Sequence, residues 1–234
     1  SQDKKVVVSH EPFMSSLYML QPNGEHITKK EELSFNLYEM PYQQIKQFDS
    51  GSKGNSNFPQ QQKIKTYKPL LSEVLDTVED YLKKENRDSI KYNIEIKSEE
   101  TEYHHSQPAP EEFVSLVMQV IEQKQLSNQV VLQSFDPAVL EILHKKYPAI
   151  KLSYLVEGKT LEENLKLLSF TPPIYSPFYK MILNQDYVNQ VKKLNMKLIP
   201  WTVNQPEAIK EMIKLQVDGI ITDYPERIPG TTHL

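Results

Sequence analysis

Hydrophobic and polar positions alternate most legibly over residues 197–225. A short apolar run, Leu198-Ile199-Pro200-Trp201-Thr202-Val203, passes through the polar turn Asn204-Gln205-Pro206 into a segment of helical period over 207–215. A second apolar run follows at 217–222. Two continuous apolar runs joined by a helix-period segment predict a βαβ unit, because parallel strands are covered by helices and lose the in/out alternation of a half-exposed sheet. The polar residues fall at the strand exits: Trp201, Thr202 and Asn204 after the first run, Thr222 and Asp223 after the second. In α/β barrels these exits form the active-site face. The pattern therefore predicts the last unit of a barrel, with its chemistry on the side of Trp201 and Asp223.

The alternation extends upstream. Strand candidates centre on Ile94, Val131, Ser153, Tyr175, Pro200 and Ile220, separated by helical segments over 111–123, 137–146, 161–168, 186–194 and 207–215. Before them, Leu71, Val74, Leu75, Val78 and Leu82 share one face of a helix that ends near Asn86. Val6-Val7-Val8-Ser9 predicts a strand directly after a polar turn at 1–5, the arrangement that joins two strands of a hairpin. Residues 13–68 are poor in apolar runs and rich in Gln, Asn, Ser, Gly and Pro. A connection that long is either functional or carries small structure of its own, so 13–68 is expected to be an insertion over the barrel mouth, with a short helix within 40–48. The expected fold is α/β: one TIM-type (β/α)8 barrel domain over 1–234, in which six of the eight strands are visible.

Composition narrows the function. The 234 residues, 38% of them hydrophobic, suffice for one sizeable core. A formal net charge of -4 gives no basic stripe for nucleic acid. The chain has no cysteine, which removes thiolate nucleophiles, disulfides and sulfur-ligated zinc. No stretch approaches the roughly 18 consecutive apolar residues of a membrane span. Compartment and oligomeric state stay open.

The candidate chemistry starts with Asn93-Ile94-Glu95-Ile96-Lys97, where strand alternation puts Asn93, Glu95 and Lys97 on one face and both isoleucines on the other. A carboxylate aimed inward needs a partner, which is either Lys97 or a bound cation of the Ca²⁺ or Mg²⁺ type. His10 ends its strand beside Glu11 and Pro12, a position held more often by an ordinary surface residue than by a proton-transfer group. Trp201 is the single tryptophan and stands between Pro200 and Thr202-Val203-Asn204, as a residue facing a barrel mouth would. Asp136-Pro137 matches a helix N-cap followed by proline at the first helical position. Ser134 has no histidine near it in sequence, which argues against a serine hydrolase.

Together VVVSHEP, YKPLLSEVL, NIEIK, LQSFD and IPWTVN with VDGIITDYP resemble, in order and over essentially the whole chain, the motifs of the glycerophosphodiester phosphodiesterase family. The resemblance implies an α/β barrel that hydrolyses a small-molecule glycerophosphodiester to an alcohol and glycerol 3-phosphate with a divalent cation, Ca²⁺ or Mg²⁺. Carried over by motif, His10 resembles a general acid/base histidine, Glu95 a carboxylate ligand of the metal, Lys97 the cation beside the phosphate, and Trp201 the aromatic wall near the glycerol. The chain departs from the family where His-Asp becomes His10-Glu11, where helix-ending glycines become Asn195 and Gln216, and where the His-Arg-Gly and Glu-x-Asp strands are not found. The last departure leads to the expectation that the sequence lacks the first two barrel strands and, by itself, has neither diesterase activity nor tight metal binding. A phospholipase C-like lipid phosphodiesterase and a non-catalytic phosphodiester-binding barrel are the competing readings.

Overall fold

The computed structural model describes residues 1–230; His233, a residue without motif context, lies outside the described residues. The chain divides into two compact units, Ser1–Ile90 with Ser98–Ser127, and Lys91–Lys97 with Asn128–Leu234.

The second unit carries the sheet. Five parallel strands, β1 (Tyr92–Glu95), β2 (Val130–Ser134), β3 (Lys151–Val156), β4 (Ile174–Pro177) and β5 (Lys197–Leu198), lie side by side in sequence order. The central strands are buried along nearly their whole length, which is why their apolar runs lack alternation. Leu132, Tyr175 and Leu198 are wholly buried, and each such side chain contributes about 1.5–3 kcal/mol on transfer from water. Helix α4 (Pro137–Lys146) covers β2 and β3, and α6 (Gln185–Lys193) covers β5. The short α5 (Leu161–Leu165) and α7 (Pro206–Lys214) complete the alternation within 128–234.

Local chemistry starts these helices where the sequence indicates. Asp136 accepts the Ala138 N–H at 2.9 Å with Pro137 in the first turn of α4, and Asn184 accepts the Tyr187 N–H at 3.1 Å ahead of α6. At α5, Thr160 and Glu163 form a reciprocal capping box, each side chain accepting the other's backbone N–H at 2.7 and 3.2 Å. This helix stops at Leu165, shorter than the 161–168 expected.

Strand expectations are corrected in two regions. The run at 198–203 gives only the two-residue β5, and no regular strand forms around Ile220. Two prolines explain this: Pro177 has no N–H for the Ile199 carbonyl, which interrupts the β4–β5 ladder after Leu198, and Pro200 interrupts the other side. Towards β4, Lys197, Ile199 and Trp201 donate to Pro173, Tyr175 and Pro177. On the opposite side Pro200 has no N–H to offer, so a regular ladder with 217–222 cannot close. Asp218 N and Ile221 N still donate to the Leu198 and Pro200 carbonyls, at 2.8 and 2.9 Å, and the Asp218 carboxylate accepts the Leu198 N–H at 2.9 Å. The 217–222 segment therefore tracks β5 as a sixth, irregular strand. The second correction is at 6–9, where only an isolated antiparallel bridge, Val7 to Leu70, is made. Val8 N donates to Pro69 O and Leu71 N to Val6 O, and Pro69, without an N–H, ends the pairing there.

The first unit contains α1 (Tyr42–Ile45), α2 (Leu71–Lys84) and α3 (Pro110–Gln123). Helix α1 falls within the 40–48 expected. Residues 13–68 have their own apolar cluster of Met14, Met19, Ile27, Leu37, Met40, Tyr42, Ile45 and Phe48. Its buried carboxylates are satisfied locally: Glu32 accepts from Ser16 N and Oγ at 3.0 and 2.6 Å and pairs with Lys29, and Asp49 accepts from the backbone N–H groups of Gly51 and Ser52, both at 3.0 Å. Gly51 is obligatory for space, since a Cβ there would stand 2.1 Å from the Ile64 carbonyl oxygen.

Asn195 and Gln216 follow α6 and α7 with φ of 57° and 58°, the left-handed geometry for which glycine is usual. Gln216 carries the steric cost of that geometry. Replacing it with glycine keeps the carbonyl that accepts from Lys192 at 2.7 Å and relieves the Cβ strain, so Gln216→Gly should raise stability by about 0.5–1 kcal/mol. Denaturant unfolding of the two proteins side by side measures this.

Candidate active site

In the second unit, the polar face expected of β1 is formed. Lys97 Nζ lies 3.1 Å from Glu95 Oε1, while Ile96 is buried on the opposite side. The Glu95 side chain keeps 23% of its surface exposed, so the charge is paired and partly solvated rather than isolated in the core. Asn93 Nδ2 donates to Gln133 Oε1 at 3.0 Å, which adds to this row the buried Gln133, a residue that strand patterning alone did not single out. Ser134 donates to the Ile96 carbonyl at 2.8 Å and also accepts the Asp136 N–H at 3.2 Å. It is a buried structural hydroxyl at the end of β2.

Trp201 sits just past β5. Its indole N–H donates to the Ser176 carbonyl at 2.9 Å, and its ring meets Phe135 edge-on at 5.2 Å and Phe178 at 5.4 Å. Tyr179 extends this aromatic wall, 5.1 Å from Phe178. Edge-to-face contacts of this kind hold rings in fixed orientation. Asn204 ties the neighbouring exits together: its Oδ1 accepts from Thr222 Oγ1 at 3.1 Å and from Asp223 N at 2.9 Å, and its Nδ2 donates to Asp223 Oδ2 at 2.8 Å. Asn204, Thr222 and Asp223 thus serve largely to fix the backbone.

In the first unit, His10 has an 80% exposed side chain, with Nδ1 3.4 Å from Glu11 Oε1. Glu11 is the centre of a small network. Its Oε2 accepts a short hydrogen bond from Tyr18 OH, and Lys68 Nζ donates to Ser9 Oγ at 2.6 Å and to Tyr18 OH at 3.3 Å. Contact with His10, then Tyr18 and the Lys68 charge, hold the Glu11 carboxyl down at about 2 against the burial that would raise it. Burial pushes the Lys68 ammonium down to about 8, with the Glu11 charge opposing. Burial, followed by Glu11, raises the Tyr18 hydroxyl above its usual range. Lys68 and Tyr18 escaped sequence reasoning. The available signal was a lysine between Tyr67 and Pro69-Leu70-Leu71, at the otherwise apolar entry to α2.

A Ca²⁺ or Mg²⁺ ion takes about six or more oxygens, several of them charged. Among the described residues no group of three or more His, Cys, Asp or Glu is placed to hold a metal ion, and Glu95 is engaged by Lys97. This donor set does not fit a bound divalent cation.

Comparison with known proteins agrees with the motifs. The model of the glycerophosphoryl diester phosphodiesterase family matches residues 1–227. A glycerophosphodiester phosphodiesterase of Caldanaerobacter subterraneus is 31% identical over 228 residues, covering 97% of this chain and 80% of the relative. One from Bacillus altitudinis is 32% identical over 160 residues, covering 68% of this chain, and the match spans about 60% of that relative's length. Among solved structures, a protein from Silicibacter pomeroyi assigned as a glycerophosphoryl diester phosphodiesterase superposes with a TM-score of 0.82 at 24% identity, over 97% of this chain and 78% of its own. A phosphodiesterase of Oleispira antarctica, solved with the product sn-glycerol-3-phosphate, gives 0.71 at 20% identity, over 97% and 79%. At these identities the two structures show a shared fold, the TIM barrel, of which the five-stranded parallel sheet is a part.

The Glu11 network makes an acid-stability prediction. A carboxyl whose folded value is about 2, against an ordinary 4.5, contributes stability that is fully present above pH 4.5 and is lost as pH falls towards 2. Glu11→Gln removes that contribution. Thermal melts from pH 7 to pH 2.5 should show the variant less stable at neutral pH, with the gap to wild type closing as pH falls below 4.5; a gap independent of pH contradicts the assignment.

Proposed function

We propose, because this chain belongs to the glycerophosphoryl diester phosphodiesterase family, that it serves in hydrolysis of glycerophosphodiesters to glycerol 3-phosphate and an alcohol. The observation that carries this reading is the Glu95–Lys97 pair at the end of β1, in the same unit as the Trp201 wall after β5. Lys97 is a point charge suited to the non-bridging oxygens of a phosphodiester, where negative charge builds in the transition state. Its ammonium is held at 3.1 Å by Glu95 and its side chain is 36% exposed, so it is open to a phosphate arriving from solvent. The fixed rings of Trp201, Phe135 and Phe178 offer an apolar surface to the carbon backbone of glycerol. By its motif His10, in the first unit, carries the proton-transfer role of this reading, with its Nδ1 side facing Glu11 and its ring exposed. Residues 13–68, with their own apolar cluster, are an insertion in this domain. Glu95 supplies a single carboxylate, and no step of this reading runs through a cation.

The pairing of Glu95 with Lys97 is the specific observation that favours a second reading, a barrel that binds phosphodiesters without turning them over. The single tryptophan separates binding from turnover. Titration with sn-glycerol 3-phosphate should change Trp201 fluorescence saturably, and Lys97→Met should weaken binding about tenfold, the worth of one charge-assisted hydrogen bond. Phosphorus NMR of glycerophosphocholine, glycerophosphoethanolamine and an intact phospholipid, each with Ca²⁺ or Mg²⁺ added, then follows hydrolysis. Glycerol 3-phosphate from the first two supports the diesterase. A phosphorylated head group released from intact lipid alone selects a phospholipase C-like activity, and binding without any hydrolysis selects the binding barrel.

A further inference from the structure

Lys68 is 4% exposed, and a buried ammonium is costly unless its donors are used. Both of its hydrogen-bonded arms end on the same residue. One runs from Lys68 Nζ to Ser9 Oγ, 2.6 Å away, and the Ser9 hydroxyl in turn donates to the backbone carbonyl of Glu11. The other runs to Tyr18 OH at 3.3 Å, and Tyr18 donates to Oε2 of the Glu11 carboxylate. The Lys68 ammonium also lies 5.6 Å from the centre of the Tyr18 ring, and Tyr18 packs against the apolar cluster of the 13–68 segment. The polarity of the two chains is uniform, each donor passing to an acceptor that is itself a donor to Glu11. Only Oε1 of Glu11 is left over, and it faces His10 Nδ1 at 3.4 Å.

We propose that Lys68 is a positioning residue for His10: through Ser9 and Tyr18 it fixes the backbone and carboxylate of Glu11, so that Oε1 selects the tautomer of the histidine. A carboxylate can only accept, so in the neutral imidazole the proton must sit on Nδ1 for the contact to form. Nε2 is then unprotonated and outward, ready to take a proton. Without this contact an 80% exposed ring has no tautomer imposed on it. The role assigned to His10 rests on the proposed hydrolysis; the clamp itself does not.

The test reads the imidazole directly and needs no substrate. Long-range ¹H–¹⁵N NMR of the labelled chain, at a pH high enough that only neutral imidazole is present, reports which nitrogen carries its proton. Wild type should show mainly the Nδ1–H form. Lys68→Met and Tyr18→Phe should each invert the ratio towards Nε2–H, and Glu11→Gln gives the reference for complete loss of the anionic acceptor. Tyr18→Phe removes one hydroxyl and keeps the ring, so it decides the matter if Lys68→Met fails to fold. Wild-type His10 nitrogen shifts in a folded Tyr18→Phe variant overturn the proposal, as does an Nε2–H majority in wild type. A tautomer change without turnover of any phosphodiester would reject the hydrolytic reading and leave the clamp standing.

Discussion

Backbone hydrogen bonding in the parallel sheet is the constraint on which the second unit depends. Strands buried on both faces have no water to satisfy their N–H and C=O groups, so each must find a neighbour in register. The register pairs Glu95 with Gln133, Ser134 with Tyr154, Val156 with Pro177 and Tyr175 with Leu198. Because all five strands run the same way, that pairing brings their exits to one edge of the sheet. Glu95, Ser134 and Trp201 stand at these exits for that reason. At Pro200 a donor is missing, and Asp218 supplies a carboxylate to Leu198 just before the interruption, which keeps the next segment alongside.

The first unit answers a different constraint, the cost of burying charge. Glu32, Asp49 and Lys68 are all almost fully buried, and each is enclosed by short-range donors or acceptors. Such a network holds together only while every member is satisfied. In the 13–68 segment it supplements a small apolar cluster that offers less burial than a full core. The same logic makes Glu11 firm: an anion held on one side by a tyrosine hydroxyl beside a buried ammonium is a dependable partner for the exposed histidine next to it.

Helices and central strands were legible because burial on both faces leaves a continuous apolar run and because Asp136-Pro137 and the turn at Pro206 mark helix starts by local chemistry. The left-handed residues Asn195 and Gln216 were legible from the resemblance, which has glycine after these helices. The strands around Val7, Pro200 and Ile220 were not, since apolar composition records burial and not whether an N–H is present to pair. Of the site, alternation placed Asn93, Glu95 and Lys97 on one face but left open whether Glu95 pairs with Lys97 or a cation, and His10 was read at the end of a strand that forms only a single bridge. The Lys68, Tyr18 and Ser9 clamp did not, because its members are separated by 50 and 59 residues in sequence and nothing in their spacing brings them together.

The central claim is that Lys97 and Trp201 present a charge and an apolar wall to one glycerol phosphate. A crystal structure of the chain with sn-glycerol 3-phosphate tests it most directly. The account predicts phosphate oxygens within hydrogen-bond distance of Lys97 Nζ and the glycerol carbons against the Trp201 ring. Ligand bound away from both, with Lys97 still on Glu95, would contradict it.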